Sequence, residues 1–112
     1  MSAPERATTT LAPEDLGLPR GTGLGERATV VQVSSAFCAP CRAARTVAAR
    51  VAQTTEGVRL VEVDVAGHEN LAAALRIVRT PTVLVLDGAG KVRHRLEGVP
   101  RLAWLRKAVR EL

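Results

Sequence analysis

Residues 29–41 read TVVQVSSAFCAPC, and this stretch decides the expected fold. Its first part, Thr29–Ser34, is rich in β-branched side chains, which is typical of a strand covered on both faces. The stretch ends on two cysteines, after which apolar residues recur at helical spacing: Ala44, Val47, Ala48, Val51 and Ala52. We therefore predict a buried strand followed by a helix from Cys38 to about Thr54, with Gly57 as its stop.

Beyond this helix, the pattern predicts three further strands and two further helices. The expected strands are Val58–Val65, Thr82–Leu86 and Lys91–Glu97, and the expected helices are Glu69–Leu75 and Arg101–Leu112. Because a helix separates the first two strands, they should run parallel, whereas the turn at Asp87–Gly90 should join the last two as an antiparallel hairpin. The order predicts an α/β fold with a central mixed sheet (β-α-β-α-β-β-α) and helices on both faces.

The length of 112 residues fits one compact domain. Residues 1–27 are rich in Pro, Gly, Thr and Ala, so we expect a flexible N-terminal lead-in. This segment has room for one short edge strand near Thr8–Leu11 and for a helical turn that starts at Pro13. Residues 28–112 form the expected folded domain.

The composition excludes several classes of protein. The only aromatic residues are Phe37 and Trp104, which argues against modules that stack nucleic-acid bases on rings. Two cysteines are too few for a four-cysteine zinc site or a multi-disulfide scaffold. The sequence contains neither an apolar run of membrane-spanning length nor a signal peptide, so we expect a cytoplasmic protein with no membrane partner.

The net charge of +5 comes entirely from the C-terminal end. Residues 1–90 contain nine basic and nine acidic residues, whereas residues 91–112 contain seven basic and two acidic ones. Such an end could attract an acidic partner, an anionic lipid surface or a nucleic acid. It is also typical of a solvated helix face whose cations suit the helix dipole, and no base-reading motif accompanies it.

The two cysteines lie where the first strand gives way to the first helix. Cysteines three residues apart on a helical turn can form a disulfide, and the unpaired N–H groups at a helix start favour a thiolate. Pro40 suits the first turn because its missing N–H would have no partner there. This arrangement predicts that Cys38 attacks a substrate disulfide and that Cys41, more shielded, then attacks Cys38 and releases the reduced substrate.

Three other interpretations of the pair stay open: inert thiols, half of a metal site, or a structural disulfide. A metal site would need His68 or His94, and neither has ligand spacing relative to the cysteines, so no metal is expected. A structural disulfide over three residues would close a very small loop and contribute little stability. It would also be unusual in a cytosolic protein.

A second feature, Arg79-Thr80-Pro81-Thr82, directly precedes the third predicted strand, where a proline is tolerated. Together with Phe37-Cys38-Ala39-Pro40-Cys41, the strand ending at Asp64 and Gly98, this order of elements resembles the thioredoxin family over roughly residues 28–112. The resemblance implies the thioredoxin fold.

The resemblance also implies roles for individual residues. Cys38 would be the nucleophile and Cys41 the resolving thiol. Pro81 would be cis and face the cysteines, with the Thr80 backbone free to pair with an extended substrate. Gly98 would line the substrate groove without obstructing a peptide. The implied substrate-binding residues are Phe37, Ala39, Pro40, Thr80, Pro81 and Gly98.

The chain departs from the family pattern at several of these positions. Ala39 replaces the glycine of Cys-Gly-Pro-Cys, and Phe37 and Ser34 replace tryptophans. The buried aspartate six residues before the first cysteine is Gln32, and its lysine neighbour on the next strand corresponds to Leu60. Glutamine cannot accept a proton at neutral pH. With Gln32 in place of the aspartate, we therefore expect the attack of Cys41 on the mixed disulfide to be slower.

The sequence as a whole predicts a small monomeric thiol–disulfide oxidoreductase that reduces protein disulfides. Electrons would come from a separate reductase, and the protein would need no metal or organic cofactor. An oxidase or isomerase activity stays open, because the redox potential of the cysteine pair decides the direction of electron transfer. The alternative from another class is a thioredoxin-fold binding or redox-sensing module that docks an acidic partner through its basic C-terminal end.

Overall fold

A computed structural model of the chain describes residues 9–112. The strands are β1 (Ala28–Ser34), β2 (Val58–Asp64), β3 (Thr82–Asp87) and β4 (Val92–Glu97), and the helices are α1 (Ala39–Thr54), α2 (Glu69–Ala74) and α3 (Leu102–Arg110). Every strand and helix predicted within residues 28–112 is confirmed, with bounds that differ by no more than two residues. The differences fall at element ends, where pattern arguments are weakest.

The four strands form one mixed sheet in the order β2-β1-β3-β4. β1 runs parallel to β2 and antiparallel to β3, and β3 and β4 form the predicted antiparallel hairpin. All seven residues of β1 are buried, as its β-branched composition predicted. The α/β class and the mixed sheet with helices on both faces are therefore confirmed.

The two faces of the sheet bury separate apolar clusters. One cluster joins α1 and α3 to the sheet through Ala48, Val51, Leu105 and Val109. The other lies under α2 and contains Val31, Val33, Val63, Leu75 and Leu84. Because successive side chains of a strand point to opposite faces, Val30 belongs to the first cluster and Val31 to the second.

Part of the predicted lead-in contributes to this core. Leu11 and Leu16 are buried, and the turn expected at Pro13 is a 3-10 helix, Pro13–Leu16. The expected edge strand is reduced to a single antiparallel bridge between Thr10 and Lys91, and its first residue, Thr8, lies outside the described residues. The flexibility of residues 1–27 and the boundary at residue 28 stay predictions.

The topology brings two loops to the same edge of the sheet. β1 ends at Ser34, and because β3 is antiparallel to β1, Val33 pairs with Thr82 at the start of β3. The chain that leaves β1 toward α1 therefore meets the chain that enters β3. This places residues 35–38 beside residues 79–81.

Candidate functional site

The two cysteines form a disulfide at the start of α1. Cys38 is the N-cap residue with an extended backbone, and its Sγ accepts a hydrogen bond from the Cys41 N–H at 3.2 Å. Their Cα atoms are 5.2 Å apart. Cys41 is buried whereas Cys38 is partly exposed, so the sulfur that an approaching molecule can reach is that of Cys38. Ala39 and Pro40 form the exposed first turn beside it.

Thr80 lies beside the disulfide in the loop before β3. The Thr80–Pro81 peptide bond is cis, which confirms the sequence prediction. Pro81 is buried, and Thr80 places both its carbonyl oxygen and its hydroxyl oxygen 3.9 Å from Cys38 Sγ. The loop therefore presents polar atoms to the accessible sulfur.

Gly98 closes the site from the end of β4. Its N–H donates to the Pro81 carbonyl at 2.8 Å, which ties the two loops together. The φ angle of Gly98 is +98°, a region that side chains rarely adopt. No atom lies within 4 Å of the position that a Cβ would occupy, so the space in front of Gly98 is open.

The loops that carry the site residues also carry exposed apolar side chains. Among residues 9–112 the large exposed apolar residues are Phe37, Val78 and Val99. They come from three different loops, and each lies next to or close to a site residue: Cys38, Thr80 and Gly98. Sequence analysis identified Phe37 but missed Val78 and Val99, which have no motif beyond their position beside the predicted site.

The sequence comparison identifies the family. The thioredoxin family model matches residues 24–111, most of the chain. This protein belongs to the thioredoxin family. It is a thioredoxin domain with a CxxC pair, consistent with thiol–disulfide oxidoreductase activity. Members of the family are generally redox enzymes that act on disulfide substrates together with a reductase.

Several solved thioredoxins are similar to the chain. Chloroplastic thioredoxin z is 27% identical with a TM-score of 0.68, covering 77% of this chain and 78% of its own. Fasciola hepatica thioredoxin is 26% identical with a TM-score of 0.66, covering 78% and 82%. A mutant thioredoxin from Halobacterium salinarum NRC-1 is 19% identical with a TM-score of 0.69, covering 77% and 74%, and supports the fold alone. No curated protein matches the sequence significantly.

Gln32 lies behind the disulfide of this thioredoxin-family chain, in the middle of β1. It is fully buried, and its Nε2 donates to the Cys41 carbonyl oxygen at 2.7 Å and to Ser34 Oγ at 3.0 Å. Its Oε1 is buried and has no hydrogen-bond partner among the described residues. Because the Cys41 carbonyl can only accept a hydrogen bond, the amide atom that faces it must be Nε2, which fixes the orientation of the Gln32 amide.

The cross-strand partner of Gln32 on β2 is Glu62, two residues beyond Leu60. The parallel register pairs Gln32 with Glu62 and Val30 with Leu60. A shift of two residues would leave the same side chains on the same face, so the alternation in the sequence does not specify this pairing. The chain therefore has an amide on β1 and a carboxylate beside it on β2.

Glu62 is held by groups from two other elements. Ser34 donates to its Oε2 at 3.0 Å, and Arg45 of α1 donates to both carboxylate oxygens at 2.8 and 2.6 Å. The Arg45 hydrogen bonds hold the pKa of Glu62 below its ordinary value, although burial acts in the opposite direction. Glu62 and Cys41 line the same cavity of about 450 Å³, together with Asp64.

The two histidines lie apart from the cysteine pair. His68 Nδ1 lies 2.9 Å from the Asp64 carbonyl oxygen, and His94 meets Trp104 edge-on with ring centroids 6.0 Å apart. Within residues 9–112, no group of three or more His, Cys, Asp or Glu side chains could hold a metal ion. Over the same residues, no helix is long and apolar enough to cross a membrane.

Proposed function

We propose that this protein reduces disulfide bonds in protein substrates, with Cys38 as the nucleophile and Cys41 as the resolving thiol. The observation that carries the proposal is the unequal exposure of the two sulfurs at the start of α1. Cys38 is accessible and Cys41 is buried, which suits one for attack on a substrate and the other for the internal step. The Cys41 N–H and the helix start favour negative charge on Cys38.

The chemistry transfers two electrons in two exchanges. The Cys38 thiolate attacks one sulfur of the substrate disulfide, a Cys38–substrate bond forms, and the second substrate sulfur leaves as a thiolate. Cys41 then loses its proton and attacks Cys38 Sγ, which releases the first substrate sulfur and leaves the Cys38–Cys41 disulfide. The substrate is reduced and the protein oxidised, and a separate reductase returns the two electrons. No metal or organic cofactor takes part in these steps.

The surroundings of Cys38 support a macromolecular substrate. Phe37, Val78 and Val99 are exposed in the three loops that carry the site residues, and exposed apolar groups in such loops favour contact with a protein surface. The Thr80 carbonyl and the open space at Gly98 suit an extended segment that pairs with the loop. A small disulfide such as oxidised glutathione would leave most of this apolar surface uncovered.

Gln32 belongs to the proposed resolving step. The amide contacts the backbone of Cys41 but cannot take its proton, so resolution depends on water or on another base. We place the activity in the cytoplasm and in a monomer, as parts of the same proposal. Reduction rather than oxidation is the direction expected there.

The proposal is tested by turnover of a model protein disulfide with a chemical reductant as electron source. The wild type should reduce it catalytically, Cys38→Ser should be inactive, and Cys41→Ser should accumulate a mixed disulfide through Cys38 that mass spectrometry detects. Turnover by Cys38→Ser equal to that of the wild type would overturn the proposal. The equilibrium potential of the pair in a glutathione buffer then decides between reductant and oxidant, since about 30 mV corresponds to about 1.4 kcal/mol for this couple.

A further inference from the structure

Two hydroxyl groups lie in series behind the accessible sulfur. Ser35, the first residue after β1, places its Oγ 2.7 Å from Thr80 Oγ1. Thr80 Oγ1 in turn lies 3.9 Å from Cys38 Sγ. Ser35 and Thr80 are both partly buried, so the contact between their hydroxyls is shielded from bulk water.

The number of protons determines what this pair can do. Each hydroxyl has one proton to donate, so Thr80 directs its own either toward Ser35 or toward the sulfur. When Ser35 donates to Thr80 Oγ1, the Thr80 proton is free to turn to Cys38. Hydrogen bonds in such a chain strengthen one another, and a charged acceptor strengthens the last one most.

The redox state of Cys38 changes the preferred direction of this chain. A disulfide sulfur is a weak acceptor, so in the oxidised protein Thr80 gains little by donating to it. A thiolate is a charged acceptor and attracts the Thr80 proton, and Ser35 then completes the chain from behind.

We propose that Ser35 is a positioning residue that directs the Thr80 hydroxyl to the Cys38 sulfur and thereby stabilises the thiolate. This inference rests on the proposed function of Cys38 as the nucleophile. It assigns a role in nucleophile activation to a residue that never touches the sulfur itself.

Ser34 provides a matched control one residue away. Its hydroxyl accepts from Gln32 and donates to Glu62, away from Thr80. Ser34→Ala therefore removes the same group from the same loop region without breaking the proposed chain. Ser35→Thr retains the hydroxyl and serves as the conservative rescue.

The experiment measures the alkylation rate of Cys38 in the reduced protein as a function of pH, with Cys41→Ser as the common background. Ser35→Ala should slow alkylation near neutral pH about threefold, the size expected for one hydrogen bond, and move the midpoint of the profile to higher pH. Ser34→Ala and Ser35→Thr should retain the wild-type profile. Thr80→Val should also slow alkylation, and adding Ser35→Ala to it should cause no further change.

Two results would overturn the inference. One is a Ser35→Ala profile that matches the wild type, and the other is a Ser35→Ala effect that persists in full in Thr80→Val. Failure of the proposed function has a different signature, because the wild type itself would then fail to reduce a protein disulfide. Thermal unfolding of each variant separates a change in the profile from a loss of folded protein.

Discussion

Gln32 shows how one buried side chain constrains the chemistry of the site. Its Nε2 is held by the Cys41 carbonyl, and its Oε1 lies in the core without a partner among the described residues. An unpaired buried acceptor lowers the free energy of unfolding, so the Oε1 atom of Gln32 destabilises the fold. Hydrogen bonds connect Gln32 through Ser34 to the Glu62 carboxylate.

At the residue scale, we predict that Gln32→Asp accelerates the resolving step. A carboxylate at this position can accept the Cys41 proton, and general-base assistance is worth about 10²-fold at its lower end. The same variant should lose about 3 kcal/mol of folding free energy, because the introduced charge is buried beside a carbonyl oxygen. Single-turnover release of the first substrate sulfur, the one bound to Cys38 in the mixed disulfide, is measured by rapid mixing and gives the rate.

The control for this prediction is Gln32→Asn, which has the shape of the aspartate without its charge. It should destabilise the fold through the lost contact with Cys41 but leave resolution as slow as in the wild type. Equal resolution rates in Gln32→Asp and Gln32→Asn would contradict the role assigned to position 32.

At the scale of elements, the Arg45–Glu62 ion pair links α1 to β2 close to the disulfide. Both side chains are partly exposed, so solvent screens their attraction, and the pair acts mainly by orienting the two elements. Ser34 connects the same carboxylate to β1. The helix that begins at Cys38 is thus joined to both parallel strands by polar contacts as well as by its apolar face.

This ion pair predicts a pH dependence of stability. The pKa of Glu62 is lower in the folded protein than its ordinary value of about 4.5, chiefly because Arg45 donates to it. The resulting stabilisation is fully present above pH 4.5 and is lost as the pH falls through the lower folded-state value. Thermal unfolding of the wild type should therefore shift to lower temperature over this acid range.

Glu62→Gln should reduce that shift because it removes the titrating carboxyl, and Arg45→Met should also reduce it because it removes the largest cause of the lowered pKa. The other carboxylates with lowered pKa values, Glu69 and Asp87, remain in both variants and set the residual slope. A Glu62→Gln protein whose unfolding temperature falls with acid as steeply as that of the wild type would contradict the assignment.

At the scale of the whole molecule, the two ends of β1 serve different surfaces. Ser34 ends the strand at the disulfide, whereas Ala28 begins it about 20 Å away, six steps at the usual rise of about 3.3 Å per residue. Near Ala28 lies a polar cavity of about 690 Å³ lined by residues of both charges, among them Glu26, Arg27, Glu56 and Glu111. Arg27 also donates to the Arg110 carbonyl at the end of α3.

Part of the basic C-terminal end, residues 91–112, lies near this distant cavity. Several of its basic side chains make contacts within the chain. Arg93 pairs with Asp87, Arg95 donates to the Leu75 and Arg76 carbonyls at the end of α2, and Arg106 donates to Thr54 Oγ1. These contacts orient three of the seven basic side chains of residues 91–112 toward other parts of the chain.

We therefore predict that charge reversal at the end of α3 leaves disulfide reduction unchanged. Lys107 and Arg110 are exposed and lie in the last turn of the helix, toward the Ala28 end of the molecule. The double variant Lys107→Glu, Arg110→Glu should reduce a model protein disulfide at the wild-type rate at low and at moderate salt. Abolished reduction, with loss of salt-sensitive binding to an acidic protein, would instead support the docking module.

The order of the elements and the position of the cysteine pair were determined by the sequence alone. Both rest on local signals: the β-branched run before Ser34, helical spacing after Cys41, and the turn residues of the β3–β4 hairpin. The cis bond before Pro81 followed from the family resemblance rather than from these patterns. Such signals involve residues close together in the chain, so they can be recognised in the sequence without knowledge of the packing.

Tertiary structure decided which side chains meet across elements. The register that pairs Gln32 with Glu62, the contact of Ser35 with Thr80, and the exposure of Val78 and Val99 all join segments far apart in the chain. Strand register and loop approach depend on how the whole core packs, and the alternation of one strand is the same for shifts of two residues. The groups that surround the reactive sulfur therefore became visible only when the strands were paired.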